Sequence, residues 1–220
     1  MEKKVVPSNL IEFFAQVVSL RAGIQLGAAQ HSMVESRVRK RLVELGIATL
    51  EEYAEYYREN EGEESEELIS LLTTHHTYFF REPVQFRFLE EVALPQALNR
   101  MRARGESKLR IWSAACSTGQ EVYTLAMFLQ HHLPVLAPGV GFEILGTDVD
   151  KQSVTTARNG VYALREMKSI PLLYTADHWA KGSGDISGFA KAKPSLRDHC
   201  RFESYNLSCL LYTSPSPRDS

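Results

Sequence analysis

Residues 109–129 read LRIWSAACSTGQEVYTLAMFL, and the reading of this stretch decides the fold. It opens with apolar and aromatic residues and passes through a run of small ones, Ser113-Ala114-Ala115-Cys116-Ser117-Thr118-Gly119. It resumes as Val122, Leu125, Ala126 and Leu129, at the i, i+3, i+4, i+7 spacing of one helix face. The order predicts a buried strand, a tight turn and an amphipathic helix. Small side chains let a ligand approach the backbone, and the N–H groups of a first helical turn are free to donate. Such a unit opens a doubly wound α/β domain, where nucleotide-like ligands sit. A single glycine is far from a full glycine fingerprint, so the turn alone leaves an ordinary strand-turn-helix open as well.

Downstream, Phe142-Glu143-Ile144-Leu145-Gly146-Thr147 reads as a second strand ending at Asp148. Asp150 can cap a helix from Lys151 to Arg158, which stops at Asn159-Gly160. An acidic residue ending the second strand is where doubly wound folds hold ribose hydroxyls, so Asp148 is read as a ribose acceptor, with a plain turn former as the other reading. Gly182, Gly184 and Gly188 lie between Trp179-Ala180-Lys181 and Phe189-Ala190-Lys191-Ala192-Lys193, as in a hairpin with a glycine-rich loop or in a surface loop. Cys200 to Tyr205 reads as a third strand. From Cys209 the chain closes as CLLYTSPSPRDS; Pro215 and Pro217 exclude a central strand there. Residues 209–220 read as translated adapter sequence, a non-native tail on a doubly wound sheet left incomplete at three strands.

Upstream, four short amphipathic helices are expected. Asn9-x-x-Glu12 can form a capping box ahead of Leu10, Phe13, Phe14, Val17 and Val18, with Gly23 and Gly27 punctuating the end. Val34, Val38, Leu42 and Leu45 point inward from Ser32–Leu45; Thr49-x-x-Glu52 starts a third helix with Tyr53, Tyr56 and Tyr57. A fourth, with Leu68, Ile69, Leu71 and Leu72, follows the acidic run Glu61 to Glu67. The second helix carries Arg37, Arg39, Lys40 and Arg41, either a solvated face or a dock for an acidic partner surface. In Thr73 to Pro83 the periodicity breaks. The adjacent His75 and His76 lack the i, i+4 spacing of a helical ligand pair, so no metal site is expected. Tyr78, Phe79 and Phe80 read as core between two domains. Arg81 is expected to have its stem among apolar neighbours, as an ion-pair partner or a carboxylate clamp. Phe86, Phe88, Leu89, Val92 and Leu98 belong to a helix kinked at Pro95.

The totals narrow the class. At 220 residues the chain has room for one large or two small domains. A 44% hydrophobic and 24% charged composition is that of an ordinary globular protein, and a net charge of −2 gives no reason to expect a nucleic-acid partner. No apolar run reaches the roughly 20 residues of a bilayer span, and Met1-Glu2-Lys3-Lys4 leads into no apolar secretory segment. Three cysteines without C-x-x-C spacing argue against a structural zinc or a disulfide framework and suit a reducing cytoplasm.

Taken together, TTHHTYFFR (73–81), RIWSAACSTGQEVY (110–123), GTDVD (146–150), ARNGVY (157–162) and FESYNL (202–207) resemble the chemoreceptor (CheR-type) protein-glutamate O-methyltransferases. The resemblance covers nearly everything before residue 209. It implies a helical domain over 1–72 and a partial Rossmann-like domain over 73–208 that binds S-adenosyl-L-methionine, with a possible β-subdomain at 178–198. It implies cofactor contacts from His75, Thr77, Arg81, Ala115, Glu121, Asp148, Asn206 and Leu207, with Arg81 also the candidate catalytic residue. Ala115 and its neighbours would floor the methionine moiety, Glu121 would lie close to its amino group, and Asn206 and Leu207 would flank the adenine. The implied partner is the cytoplasmic domain of methyl-accepting chemotaxis receptors, met by a monomer without membrane insertion. Gly182, Gly184 and Gly188 would belong to a loop that pairs with a receptor tail by strand addition, and Arg37, Arg39 and Arg41 to the receptor-facing surface. Departures are His75, where relatives often have asparagine, and Val122-Tyr123-Thr124 in place of Pro-Tyr-Ser. A non-catalytic S-adenosylmethionine-binding or scaffolding module is the alternative; a dinucleotide oxidoreductase ranks below both, because the loop lacks G-x-G-x-x-G.

Overall fold

The computed structural model describes residues 9–175 and 178–209; the expected leader-free start and the closing segment from residue 210 lie outside them. The chain forms two compact units. One holds the residues up to Thr74 with Val149–Lys151 and the segment from Asn206; the other holds His75–Asp148 and Gln152–Tyr205.

In the first unit, α1 (Leu10–Ala22) begins where the Asn9 side chain accepts the Glu12 N–H and ends at Gly23, whose φ of 72° is left-handed. It is followed by α2 (His31–Leu45), α3 (Leu50–Glu59) and α4 (Glu61–Leu72). Thr49 and Glu52 complete a capping box at the start of α3. Phe14, Val18, Val34, Val38, Tyr53 and Leu68 are fully buried and form its core. One expectation is corrected here: the acidic run does not precede α4 but forms its first turns. Glutamate is a good helix former, and negative charge is favourable at a helix N-terminus. Glu64 turns inward, where Arg41 grips both of its oxygens at 2.9 Å and the Tyr53 hydroxyl donates to it at 2.6 Å.

The second unit runs α5 (Pro83–Phe88), α6 (Leu94–Ala103), β1 (Lys108–Ala114), α7 (Gln120–Leu136), β2 (Gly141–Asp148), α8 (Lys151–Asn159), β3 (Val161–Ala163), β4 (Trp179–Lys181), β5 (Phe189–Ala192), α9 (Pro194–Arg197) and β6 (Cys200–Ser204). Strands β1, β2 and β6 form a parallel sheet in the order β1-β2-β6, with Ser113 beside Gly146 and Ala114 beside Thr147. Helix α7 lies on one face through Val122, Ala126 and Leu129, all fully buried. It comes so close that a Cβ on Gly146 would stand 2.8 Å from Val122 Cγ2. Before Pro95 the helix widens into a π turn over Leu89–Ala93, because proline has no N–H for the Glu91 carbonyl. A second sheet, antiparallel and ordered β3-β5-β4, contains the glycine-loop hairpin and a three-residue strand, β3, that the sequence reading did not assign. Of the aromatic run, Phe79 is buried in this unit's core, whereas Tyr78 is 42% exposed, contrary to its expected burial.

Candidate functional site

The loop after β1 is wound tightly by its own backbone. Cys116 N–H donates to the Thr147 carbonyl at 2.9 Å, and Gly119 N–H to the Cys116 carbonyl at 3.0 Å. Ser117 N–H donates to the Asp148 carboxylate at 2.7 Å. From the other side the Tyr162 hydroxyl on β3 donates to the Thr118 carbonyl at 2.7 Å. Ala115 and Ser117 take left-handed backbone at φ 59° and 50°. Among the described residues only two other non-glycine residues do so, Phe80 and Glu82, and they bracket Arg81. Each such position costs on the order of 1–2 kcal/mol, and strain of this kind clusters where a fold holds a functional geometry.

Two carboxylates rise at the carboxyl ends of neighbouring parallel strands. Asp148 closes β2 and is buried; Glu121, in the first turn of α7, accepts the Ser113 hydroxyl at 2.7 Å from the end of β1. Both act on Cys116. Burial, then the charge of Asp148 and that of Glu121, pushes its thiol up to about 12. Cys116 is therefore a neutral packing residue. Ala115 is exposed, with only a methyl group on its surface, and Ser117 Oγ is buried without a hydrogen-bond partner.

Arg81 lines an open cavity of about 520 Å³ together with Glu121, Glu82, Gln85, Phe86, Leu89 and Leu125. Its stem is not packed among apolar side chains as expected. The side chain is 49% exposed, one guanidinium nitrogen donates to the His76 carbonyl at 2.8 Å, and Glu82 stands 3.8 Å away. Phe79 and Phe80, beside it in sequence, turn into the core and leave it at the rim. His75 Nδ1 lies 3.1 Å from the Ser153 hydroxyl, and the His75 carbonyl accepts the Thr77 N–H. Arg81 and Glu121 thus share a cavity, and Glu121 and Asp148 share the Cys116 environment. Asn206 and Leu207 belong to the first unit, where the Asn206 amide donates to the Arg21 carbonyl at 2.8 Å.

Of the basic cluster, Arg37 donates to the Leu71 and Thr73 carbonyls at 2.7 Å each, and Arg41 is taken up by Glu64. Both are committed to bonds within the first unit, so the receptor-facing reading of the cluster narrows to Arg39 and Lys40, both exposed. Arg39 also pairs with Glu35 one turn away. Gly182, Gly184 and Gly188 lie in the β4–β5 connection. Gly182 has the Ile186 carbonyl 2.1 Å from where a Cβ would stand, and Gly184 has a φ of 56°. Sequence reasoning missed Ser117 and Tyr162 as loop partners; the ARNGVY block was the available signal for Tyr162.

The family model described as "CheR methyltransferase, all-alpha domain" matches residues 9–73, and "CheR methyltransferase, SAM binding domain" matches residues 75–218. A "Chemotaxis protein methyltransferase" of Salmonella typhimurium is 34% identical over 206 residues, 93% of this chain and 68% of the relative. The protein of that description from Escherichia coli is 32% identical over 207 residues, 94% and 68%. A "Probable chemotaxis protein methyltransferase" of Rhizobium etli is 40% identical over 142 residues, 64% and 52%. The chain belongs to the CheR methyltransferase family. It is an enzyme of chemotaxis, and its cofactor is S-adenosyl-L-methionine. The CheR residues present suit that group: an exposed alanine floor, an unpartnered Ser117 hydroxyl, an acid at the end of β2, and an arginine and a glutamate on one cavity. No helix among the described residues is long and apolar enough to cross a membrane.

Proposed function

We propose that the enzyme methylates glutamate side chains in the cytoplasmic domain of methyl-accepting chemotaxis receptors, giving methyl esters, and acts as a monomer in the cytoplasm. The observation that carries this reading is the cavity shared by Arg81 and Glu121. A guanidinium and a carboxylate facing one space suit the two ends of an α-amino acid, the methionine part of the cofactor. Glu121 takes the ammonium, Arg81 the carboxylate, Ala115 the floor and Asp148, which closes β2, the ribose hydroxyls. His75 and Thr77 take the approach to Arg81.

When bound, the cofactor would supply a methyl group on a positively charged sulfur, open to in-line attack by a receptor carboxylate oxygen, the new C–O bond forming as the C–S electron pair returns to sulfur, with no proton moved. A glutamate with a pKa of about 4.3 is already ionised at neutral pH, so no general base is required. The protein's part is to align and desolvate, and orientation alone can supply roughly 7–11 kcal/mol. For the receptor tail, the short edge strand β4 and the loop carrying Gly182, Gly184 and Gly188 offer a place for strand addition. Arg39 is the remaining arginine of the basic cluster suited to an acidic receptor surface.

The test is transfer of a labelled methyl group to a receptor cytoplasmic fragment. The expected label is released as methanol by mild base, as an ester requires, and is lost when the accepting glutamates are changed to alanine. A base-stable label would overturn glutamate as the acceptor.

A further inference from the structure

Thr124 is not among the residues lining the cavity, and it is fully buried one turn into α7. Its hydroxyl donates its one proton to the Gln120 carbonyl at 2.7 Å, the back-bond of a helical threonine. Toward any other neighbour that oxygen can therefore only accept, and it accepts the Phe80 N–H at 3.1 Å. Phe80 is the left-handed residue immediately before Arg81, at φ 54°, and Glu82 after it is left-handed too, at 58°. The turn is also held through the Phe80 ring, which stacks on Tyr174 at 4.7 Å and packs against Phe86 at 5.4 Å. Glu121 follows Gln120 in the same helical turn to which Thr124 is bonded.

We infer that Thr124 is a positioning residue for Arg81: by anchoring the strained turn to the first turn of α7, it fixes the span between the Arg81 guanidinium and the Glu121 carboxylate. This rests on the reading of Arg81 and Glu121 as the two poles that hold the amino-acid end of the cofactor. The position requires a hydroxyl and little else. Serine keeps the same acceptor, whereas valine keeps the volume and leaves the Phe80 N–H without its partner.

The experiment is calorimetric binding of S-adenosylhomocysteine to the full chain and to Thr124→Val, Thr124→Ser, Arg81→Ala and the Arg81→Ala/Thr124→Val double variant, with thermal unfolding of each. Thr124→Val is expected to weaken binding roughly tenfold, the effect of about one lost hydrogen bond with a stranded donor. Thr124→Ser restores it. In the Arg81→Ala background Thr124→Val changes nothing further, because the residue it positions is gone. A merely structural threonine would give equal losses in both backgrounds, or lose binding only in step with melting temperature, and either result overturns the inference. If Arg81→Ala weakens binding while Thr124→Val does not, the positioning role fails and the cofactor reading stands. If Arg81→Ala leaves binding unchanged, the reading of Arg81 fails and takes the inference with it.

Discussion

Gly119 is the one glycine of the loop after β1, and its replacement by alanine separates two costs that glycine arguments usually merge. Its φ is 93°, and a Cβ built on it would stand 2.7 Å from Ala157 Cβ, 2.9 Å from the Tyr162 hydroxyl and 3.0 Å from Ala157 Cα. The left-handed backbone costs a side chain about 1–2 kcal/mol. The overlap adds about 1–3 kcal/mol, because Ala157 is fully buried in α8 and one of the close atoms is backbone that cannot rotate away. The sum is about 2–5 kcal/mol. Gly105 supplies the control: its φ is 68°, but nothing lies within 4 Å of its Cβ position, so Gly105→Ala carries the backbone cost alone. The assay is urea unfolding of both variants, read as the shift in midpoint at constant slope. Gly119→Ala should lose more stability than Gly105→Ala by the overlap term. It should also lose S-adenosylhomocysteine binding, since relief of the clash pulls Thr118 from the Tyr162 hydroxyl. Equal midpoints for the two variants would refute the claim that α8 and β3 brace this loop by contact.

Four other outcomes are expected. Arg41→Met leaves the buried Glu64 carboxylate without its bidentate partner and should cost about 3–5 kcal/mol of stability, measured by denaturant titration. Burial alone would raise the Glu64 pKa, but the hydrogen bonds from Arg41 and Tyr53 overcome it and hold the carboxyl below its ordinary 4.5. That contribution is complete above about 4.5 and is lost as pH falls through the depressed folded value, so a helical unfolding transition that is flat from pH 5 down to 2 would contradict it. Burial pushes the Cys116 and Cys200 thiols up to about 12, so at pH 8 on the order of one molecule in ten thousand carries either thiolate; both should resist iodoacetamide in the native protein and react in urea, as mass spectrometry of the digest can establish. Arg81→Ala in the enzyme should abolish methyl transfer to receptor fragments at unchanged melting temperature, because the side chain is half exposed and held by a single carbonyl.

What could be read in the sequence was what is local. The cap at Asn9, the capping box at Thr49, the left-handed stop at Gly23 and the apolar faces of α1 to α3 are set within a few positions of one another, and the structure has them, except that at Asn9 only the side-chain bond to the Glu12 N–H forms and not the expected box. The loop after β1 was legible as a run of small residues, but small residues only permit a left-handed turn. That Ala115 and Ser117 adopt one depends on Thr147, Asp148 and Tyr162, which lie 30 or more positions away. Strand β3 has three residues, too short for alternation to show. Glu64 was illegible for the opposite reason. Glu61 to Glu67 reads only as an acidic run of five glutamates, and nothing local marks the one that faces inward to Arg41.

The two arginines that matter most show why a charge count along the chain ranks such residues poorly. Arg41 sits in an obviously basic cluster, yet both oxygens of a buried carboxylate take up its guanidinium, and its charge is neutralised inside the fold. Arg81 stands alone after three aromatics. It is held by a peptide carbonyl, which orients a guanidinium without cancelling its charge, and its ion-pair neighbour Glu82 is 3.8 Å away and 58% exposed. An exposed pair of that kind is worth about 0–1 kcal/mol, so Arg81 can exchange it for a ligand carboxylate at little cost. The same looseness suits methyl transfer. An arginine gripping the attacking carboxylate as Arg41 grips Glu64 would stabilise the ground state as much as the transition state and add no rate. One that holds the cofactor's carboxylate instead contributes position and leaves the nucleophile its charge.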